Sequence, residues 1–153
     1  MAATKLPYAQ STSGQAREGA IRDTLRGAGA TAIGFMADDD RDMVICQFRL
    51  DGREITVPVS VGQYEAAWKK LNPRGTRTSQ ANWSQRARDQ AELAVWAVLA
   101  DWIKAQTAMM ICGFFDTDTA FLSHIATPSG QRVIEVVRQS GTLKALPKPD
   151  DKP

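Results

Sequence analysis

The sequence predicts an α+β fold, in which helices pack on one face of a three-stranded antiparallel sheet. Two observations support this class. Three short strand-like segments cluster between positions 30 and 60, and helical periodicity dominates from position 61 onward. Early strands followed by late helices are typical of α+β domains. The predicted order is therefore α-β-β-β and then three to four helices.

One domain is expected over residues 12–141, with a flexible arm at 1–11 and a disordered tail at 142–153. Hydrophobic residues make up 43% of the 153-residue chain, which is enough for a substantial core. The net charge of +2 is too small to indicate a polyanionic partner by itself. The N-terminus lacks the apolar stretch of a secretory signal, and no run reaches the ~18 residues of a membrane span. The sequence therefore predicts a cytoplasmic protein without a membrane partner.

The clearest local signal is Asp51-Gly52, which lies in the stretch RLDGREITVPVS at residues 49–60. A two-residue type I′ turn needs positive φ at both central positions, and this dipeptide favours it. A turn there fixes the register and places six apolar residues on one face: Val44, Cys46, Phe48, Ile55, Val57 and Val59. A slip of one residue would destroy this agreement. Pro58 cannot donate to a neighbouring strand and predicts an edge position for the third strand.

The helices are predicted from apolar spacing and capping residues. The first runs from a cap within Ser11–Ser13 to about Arg26, and it is followed by a strand at 30–37. A short helix spans Val61–Leu71, and the longest runs from about 80 to 112 with Ser79 as its cap. Two short helices follow, the first capped by Asp116 or Thr117. Trp102, on the broad apolar half of the long helix, is expected to be mostly buried.

The strongest functional signal is a basic, tryptophan-containing segment at residues 69–88. It carries six of the 19 basic residues and none of the 17 acidic ones. The predicted nucleic-acid-binding residues are Lys69, Lys70, Arg74, Arg77, Trp83, Arg86 and Arg88. Basic groups neutralise phosphates, and an aromatic face can stack on an unpaired base. A solvated loop with its tryptophans in the core, and a protein contact, are the two alternatives.

Other candidate sites are weaker. The acidic turn at residues 38–42 could hold Mg²⁺ or Ca²⁺, but its carboxylates crowd into one turn without the spacing of a known loop, which favours a solvated turn. His124 is the only histidine, and on a helix Ser123 would point away from it, so no nucleophile–base pair is predicted. Phosphate-loop, dinucleotide and serine-hydrolase motifs do not occur in the sequence. No catalytic residue, metal site or cofactor is predicted.

The two cysteines belong to no CxxC pair or Cys/His cluster. Cys46 falls in a predicted strand and Cys112 at a predicted helix end. Two buried, reduced thiols are expected, and a disulfide between them is the alternative.

Four stretches of the sequence are distinctive: GATAIGF, FRLDGREI, WIKAQ and FLSHIATPSGQRV. In them the chain resembles a group of small proteins encoded by tailed phages and prophages, and the resemblance covers roughly residues 5–140. The group brings no agreed activity or catalytic residues. Similar proteins tend to lie among genes for phage recombination and replication, which implies a role in DNA metabolism within the host cytoplasm.

The sequence thus favours a non-enzymatic phage accessory protein that uses the basic segment to contact nucleic acid. Single-stranded nucleic acid is the favoured form. The alternative is a protein-binding module that inhibits a host factor or a defence system. An enzyme is the third hypothesis. The oligomeric state is not predicted.

Overall fold

The computed structural model describes residues 5–148. These residues form five α-helices and three β-strands: α1 (Arg17–Gly27), β1 (Thr31–Asp38), β2 (Met43–Leu50), β3 (Arg53–Ser60), α2 (Val61–Leu71), α3 (Gln80–Ile111), α4 (Thr117–Phe121) and α5 (Val133–Ser140). Short 3₁₀ turns lie at Gly14–Ala16, Leu122–His124 and Thr142–Ala145. The predicted α+β class is confirmed.

The β2–β3 hairpin has the predicted turn and register. Asp51 and Gly52 have φ values of 48° and 74°, as a type I′ turn requires. The paired residues include Val44 with Val59, Cys46 with Val57, and Phe48 with Ile55. Five of these six apolar residues are buried, and Val59 packs partly buried against the same core. The alternation of apolar and polar residues therefore determined the strand pairing.

The strands are arranged in the order β1-β2-β3, so β3 is an edge strand, as Pro58 predicted. The pairing of β1 with β2 shifts register between Thr31 and Gly34, where Ala32 adopts a φ of 52°. The Arg22 guanidinium donates to the carbonyl of Ile33 at 2.9 Å. The β1 edge of the sheet is therefore irregular at its start.

The core lies between the hairpin and the helices α1, α3 and α4. Its largest fully buried side chains include Phe48, Phe121, Leu25 and Ile103. Phe48 and Phe121 meet edge to face, with their ring centroids 5.4 Å apart. On the opposite face of the sheet, Gln47, Arg49 and Glu54 are exposed. The hairpin thus serves as a wall against which the helices pack.

The long helix α3 crosses the whole domain. Ser79 caps it, accepting a hydrogen bond from the Asn82 amide at 3.1 Å. Its 32 residues span about 48 Å at 1.5 Å per residue. Trp96 is buried, although the sequence pattern did not select it. Trp102 is partly buried and packs edge-on against Phe121 and His124. A stripe of alanines lets neighbouring elements approach α3 closely: Ala87, Ala91, Ala94 and Ala97.

The described part of the N-terminal arm is docked on the helices. The Tyr64 hydroxyl donates to the Pro7 carbonyl at 2.6 Å, and the Tyr8 hydroxyl donates to Asp101 at 2.8 Å. The Gln90 side chain donates to the carbonyls of Tyr8 and Ser11. The first helix begins later than predicted, because the chain first forms the 3₁₀ turn at Gly14–Ala16. Residues 1–4 of the predicted arm and 149–153 of the predicted tail lie outside the described residues.

The tip of the hairpin is fastened to α4. Arg53 donates through Nε and Nη2 to the two carboxylate oxygens of Asp118, at 2.8 and 2.9 Å. The Thr117 hydroxyl donates to the Asp51 carboxylate. Asp116 caps α4, as predicted, by accepting from the Thr119 amide at 2.7 Å. These contacts hold the sheet at a fixed angle to the C-terminal helices.

Candidate nucleic-acid interface

The basic segment forms one end of the molecule, where α2 and α3 are joined by the loop at residues 72–79. No acidic residue occurs from position 66 to position 88. Four of the predicted residues are exposed there: Lys70, Arg74, Arg77 and Arg86. Within residues 5–148, none of the four forms an ion pair. Arg86 also lies over the ring of Trp68, with its central guanidinium carbon 6.0 Å from the ring centroid. We call these four side chains the basic end.

The loop that carries this end is folded by local hydrogen bonds. The Asn72 side chain donates to the Trp68 carbonyl at 3.0 Å, and the Thr78 amide donates to the Gly75 carbonyl at 3.2 Å. Arg74 reaches the Thr78 carbonyl at 3.4 Å, a long contact that leaves most of its donors unused. The loop therefore presents its cations on a short, defined turn.

Trp83 closes the same loop from the side of α3. Its indole Nε1 donates to the Asn72 carbonyl at 2.7 Å, and its ring is partly buried. The Nζ atom of Lys69 lies 5.5 Å from the centroid of the ring. Lys69 in turn forms an ion pair with Glu65 at 2.8 Å. Trp83 and Lys69 are thus occupied within the protein.

Arg88 points away from the basic end, toward the β1–β2 turn. It donates to the carboxylates of Asp42 and Glu92, and lies 3.7 Å from Glu65. The hydrogen bond to Asp42 raises the pKa of Arg88 above its ordinary value. The structure therefore separates Arg88 from the four exposed cations with which the sequence grouped it.

A groove extends the basic end toward the N-terminal segment. It encloses about 750 Å³ and is lined by Lys5, Leu6, Tyr8, Ala9, Gln10, Ser11, Thr12, Arg17, Leu71 and Asn72. No carboxylate lines it. The only ion pair of Arg17 within the described residues is a 4.0 Å contact with Asp101, and its Nε is buried without a hydrogen-bond partner. We call this feature the basic groove.

Lys5 and Arg17 were missed by the sequence prediction. They lie far from residues 69–88 along the chain, and an arm expected to be flexible cannot be placed against a loop. Leu71 and Asn72 line the groove together with them, which brings both cations beside the basic end.

His124 packs against Arg132 and Trp102. Its Nδ1 lies 3.2 Å from Nη1 of Arg132, and its ring lies edge-on to Trp102. A guanidinium has only donors, so Nδ1 accepts and the ring proton resides on Nε2. Burial, together with the positive charge of Arg132, lowers the pKa of His124.

The acidic turn has a structural role at its last residue. The Asp42 carboxylate binds Arg88, and its carbonyl accepts from the Val61 amide at 3.0 Å. Asp42 thus links the β1–β2 turn to both α2 and α3. The expectation of a solvated turn holds for Asp39 and Asp40, which are exposed.

One of the two cysteines is buried, as predicted, and the other is exposed. Cys46 is buried, and burial raises its pKa to about 12, so its thiol is unreactive at neutral pH. Cys112 is exposed, in contrast to the expected burial, because α3 ends at the surface. Both thiols are free, and no disulfide joins them.

Across residues 5–148, no cluster of His, Cys, Asp and Glu side chains is placed to hold a metal ion. No helix in the same range is both long and apolar enough to cross a bilayer. No family model, curated protein or solved structure matches the chain.

Proposed function

We propose that this protein is a non-enzymatic accessory protein that contacts single-stranded nucleic acid through the basic end and the basic groove. The observation that carries the proposal is the exposure of Lys70, Arg74, Arg77 and Arg86 in a stretch, residues 66–88, that contains no acidic residue. Phosphate neutralisation by such groups releases counterions and supplies most of the affinity of sequence-independent binding. The phage setting implied by the resemblance is part of this proposal.

The basic groove supports the same function, because it offers a path for a strand beyond the loop. Lys5 and Arg17 add two cations, and Ser11 and Thr12 add hydroxyl groups that can donate to phosphate oxygens. Tyr8 also lines the groove and is the aromatic residue there on which a base could stack. A flexible single strand can pass from an exposed loop into a groove more readily than a stiff duplex can.

The test is a binding titration with a labelled single-stranded oligonucleotide at increasing salt. We expect affinity in the micromolar range or tighter at low salt, and a log–log salt slope of about −0.7 for each phosphate neutralised. The double variant Arg74→Ala/Arg77→Ala should weaken binding to all sequences alike and flatten the slope by about 1.4.

A matched control removes two equally exposed cations elsewhere. Arg26 and Arg138 form no ion pair in the described part of the chain, and Arg26→Ala/Arg138→Ala changes the net charge by the same amount. This control should retain the parent's slope. Equal losses of affinity in the two double variants would show only a non-specific effect of net charge. No binding at low salt would contradict the proposal outright.

One observation favours the alternative, a protein-binding module. At the far end of α3, Ile111 and Phe114 are each 70% exposed, and Phe115 is 39% exposed. Neighbouring exposed side chains of this size mark interaction sites more often than isolated ones do. We call these three residues the apolar tip.

The two functions are distinguished by a capture experiment with nuclease-treated lysate. A partner that Phe114→Ser loses and Arg74→Ala/Arg77→Ala retains would identify the apolar tip as the functional surface. A partner that disappears on nuclease treatment, and that the arginine double variant also loses, would support the nucleic-acid function.

A further inference from the structure

A second cavity lies between β1 and α3, on the side of the molecule to which Arg88 points. It encloses about 530 Å³, within the range typical of small-molecule sites. Its walls come from the start of α1, the second half of β1, the start of β2 and the middle of α3. Phe35 and Trp96 form an aromatic floor, with their ring centroids 5.5 Å apart. The remaining apolar side chains of the lining are Met36, Ala37, Met43, Val44, Val61 and Leu93. We call this the β1–α3 cavity.

The rim of the cavity is acidic. Six carboxylates line it: Glu18, Asp38, Asp39, Asp42, Asp89 and Glu92. Arg88 neutralises Asp42 and Glu92, Arg22 pairs with Glu18, and Arg41 lies 3.8 Å from Asp38. The rim therefore carries six carboxylates against three guanidinium groups, an excess of three negative charges.

Two of the rim carboxylates are left for a ligand. Within the described residues, Asp39 and Asp89 form no ion pair, although Asp89 accepts a hydrogen bond from the Gln85 amide at 2.7 Å. Asp39 comes from the β1–β2 turn and Asp89 from α3, so they approach the cavity from different elements.

One ring of the aromatic floor, Phe35, already contacts a guanidinium group that does not itself line the cavity. Arg22 places its central carbon 5.0 Å from the ring centroid of Phe35. Aromatic faces attract cations through their quadrupole, and this attraction strengthens where water is excluded. An apolar floor with an anionic rim matches a molecule that has an apolar body and a cationic head.

We infer that the β1–α3 cavity binds an organic cation, an ammonium or guanidinium group on an apolar stem. The source is either a free amine or the Lys or Arg side chain of a polypeptide. This site is separate from the proposed nucleic-acid surface, because its anionic rim repels phosphate.

The test uses three probes with the same phenyl body and different heads: 2-phenylethylammonium, 2-phenylethanol and 3-phenylpropionate. Binding is followed by the NMR signal of the Trp96 indole, assigned with Trp96→Phe. The cation should bind about tenfold tighter than the alcohol, a difference consistent with carboxylate and aromatic contacts in a partly dry site. The anion should bind more weakly than the alcohol.

The double variant Asp39→Asn/Asp89→Asn should reduce the affinity for the cation to near that for the alcohol. Its matched control is Asp40→Asn/Asp23→Asn, which removes two exposed carboxylates that do not line the cavity and should leave the preference unchanged. Capped tripeptides with a central lysine or glutamine identify the source. A lysine peptide that binds tighter than the free amine indicates a polypeptide ligand, and the reverse order indicates a small molecule.

Three results would overturn the inference. The first is equal affinity for the cation and the alcohol. The second is a Trp96 signal that does not shift with any probe at about 10 mM, a concentration at which even weak ligands are detected. The third is an Asp39→Asn/Asp89→Asn variant that binds the cation as tightly as the parent does.

Discussion

The indole Nε1 of Trp83 donates to the main-chain carbonyl of Asn72 at 2.7 Å and so joins the first turn of α3 to the end of α2. The same tryptophan is the aromatic residue that the sequence placed in a nucleic-acid interface. If Trp83 holds the loop in shape, its substitution should lower stability. If Trp83 stacks on a base, its substitution should lower the affinity for an oligonucleotide.

We therefore expect Trp83→Phe to lower the free energy of unfolding by about 1 kcal/mol, because it keeps a ring but removes one hydrogen bond. Oligonucleotide affinity and its salt slope should remain close to those of the parent. Urea unfolding and the salt titration measure the two effects. If affinity falls severalfold while stability is unchanged, then the indole of Trp83 contacts the oligonucleotide, as the sequence suggested.

A pair of glycine substitutions tests the link made by Asp42. A Cβ at Gly62 would lie 2.8 Å from Oδ2 of Asp42. Asp42 is held in place by Arg88, which donates to Oδ1, and by the Val61 amide, which donates to the main-chain carbonyl. Gly62→Ala should therefore destabilise the fold by about 1–3 kcal/mol, as overpacking does. Gly19→Ala is the matched control, because the Cβ there meets nothing within 4 Å.

The alanine at Gly19 should stabilise α1 by about 0.5–1 kcal/mol, since glycine weakens a helix interior. Chemical denaturation of both variants gives the comparison. A stabilising Gly62→Ala would mean that Asp42 moves aside freely and that its contacts contribute little.

The depressed pKa of His124 predicts a pH dependence of stability. Between the folded pKa and about 6.5, the unfolded chain binds a proton at this residue that the folded chain does not. The free energy of unfolding should therefore be highest above about 6.5 and fall as the pH drops, by at most about 1.4 kcal/mol per pH unit.

Urea unfolding between about pH 5.5 and 7.5, the window around the ordinary histidine pKa, measures this dependence. His124→Gln should remove it and leave a flatter profile. Parallel profiles for parent and variant would show that His124 titrates alike in the folded and unfolded chains.

Local patterns in the sequence predicted most of the fold. The Asp51-Gly52 turn, the alternation in the hairpin and the caps at Ser79 and Asp116 act over a few residues, so their outcome can be derived from neighbouring positions. Trp96 escaped prediction because nearly every residue around it on α3 is apolar, which leaves the buried face undefined by periodicity.

The candidate site was only partly predictable, because ion pairing is decided by distant residues. Arg88 and Arg86 are two positions apart, yet Arg88 binds Asp42, whereas Arg86 is exposed and forms no ion pair within residues 5–148. A count of charged residues in the sequence treats both arginines as available to bind phosphate. The contribution of Lys5 and Arg17 depends on where the N-terminal segment docks, which no local pattern encodes.

The irregular edges of the sheet bear on self-association. A second copy that added a strand beside β1 would meet the shifted register at Thr31–Gly34, and it would find the Ile33 carbonyl already taken by Arg22. Beside β3 it would meet the main chain of Ile125 and Ala126, which occupies the Ile55 and Glu54 positions. Each edge is thus interrupted at one point, which shortens the row of backbone groups that a second copy could pair with.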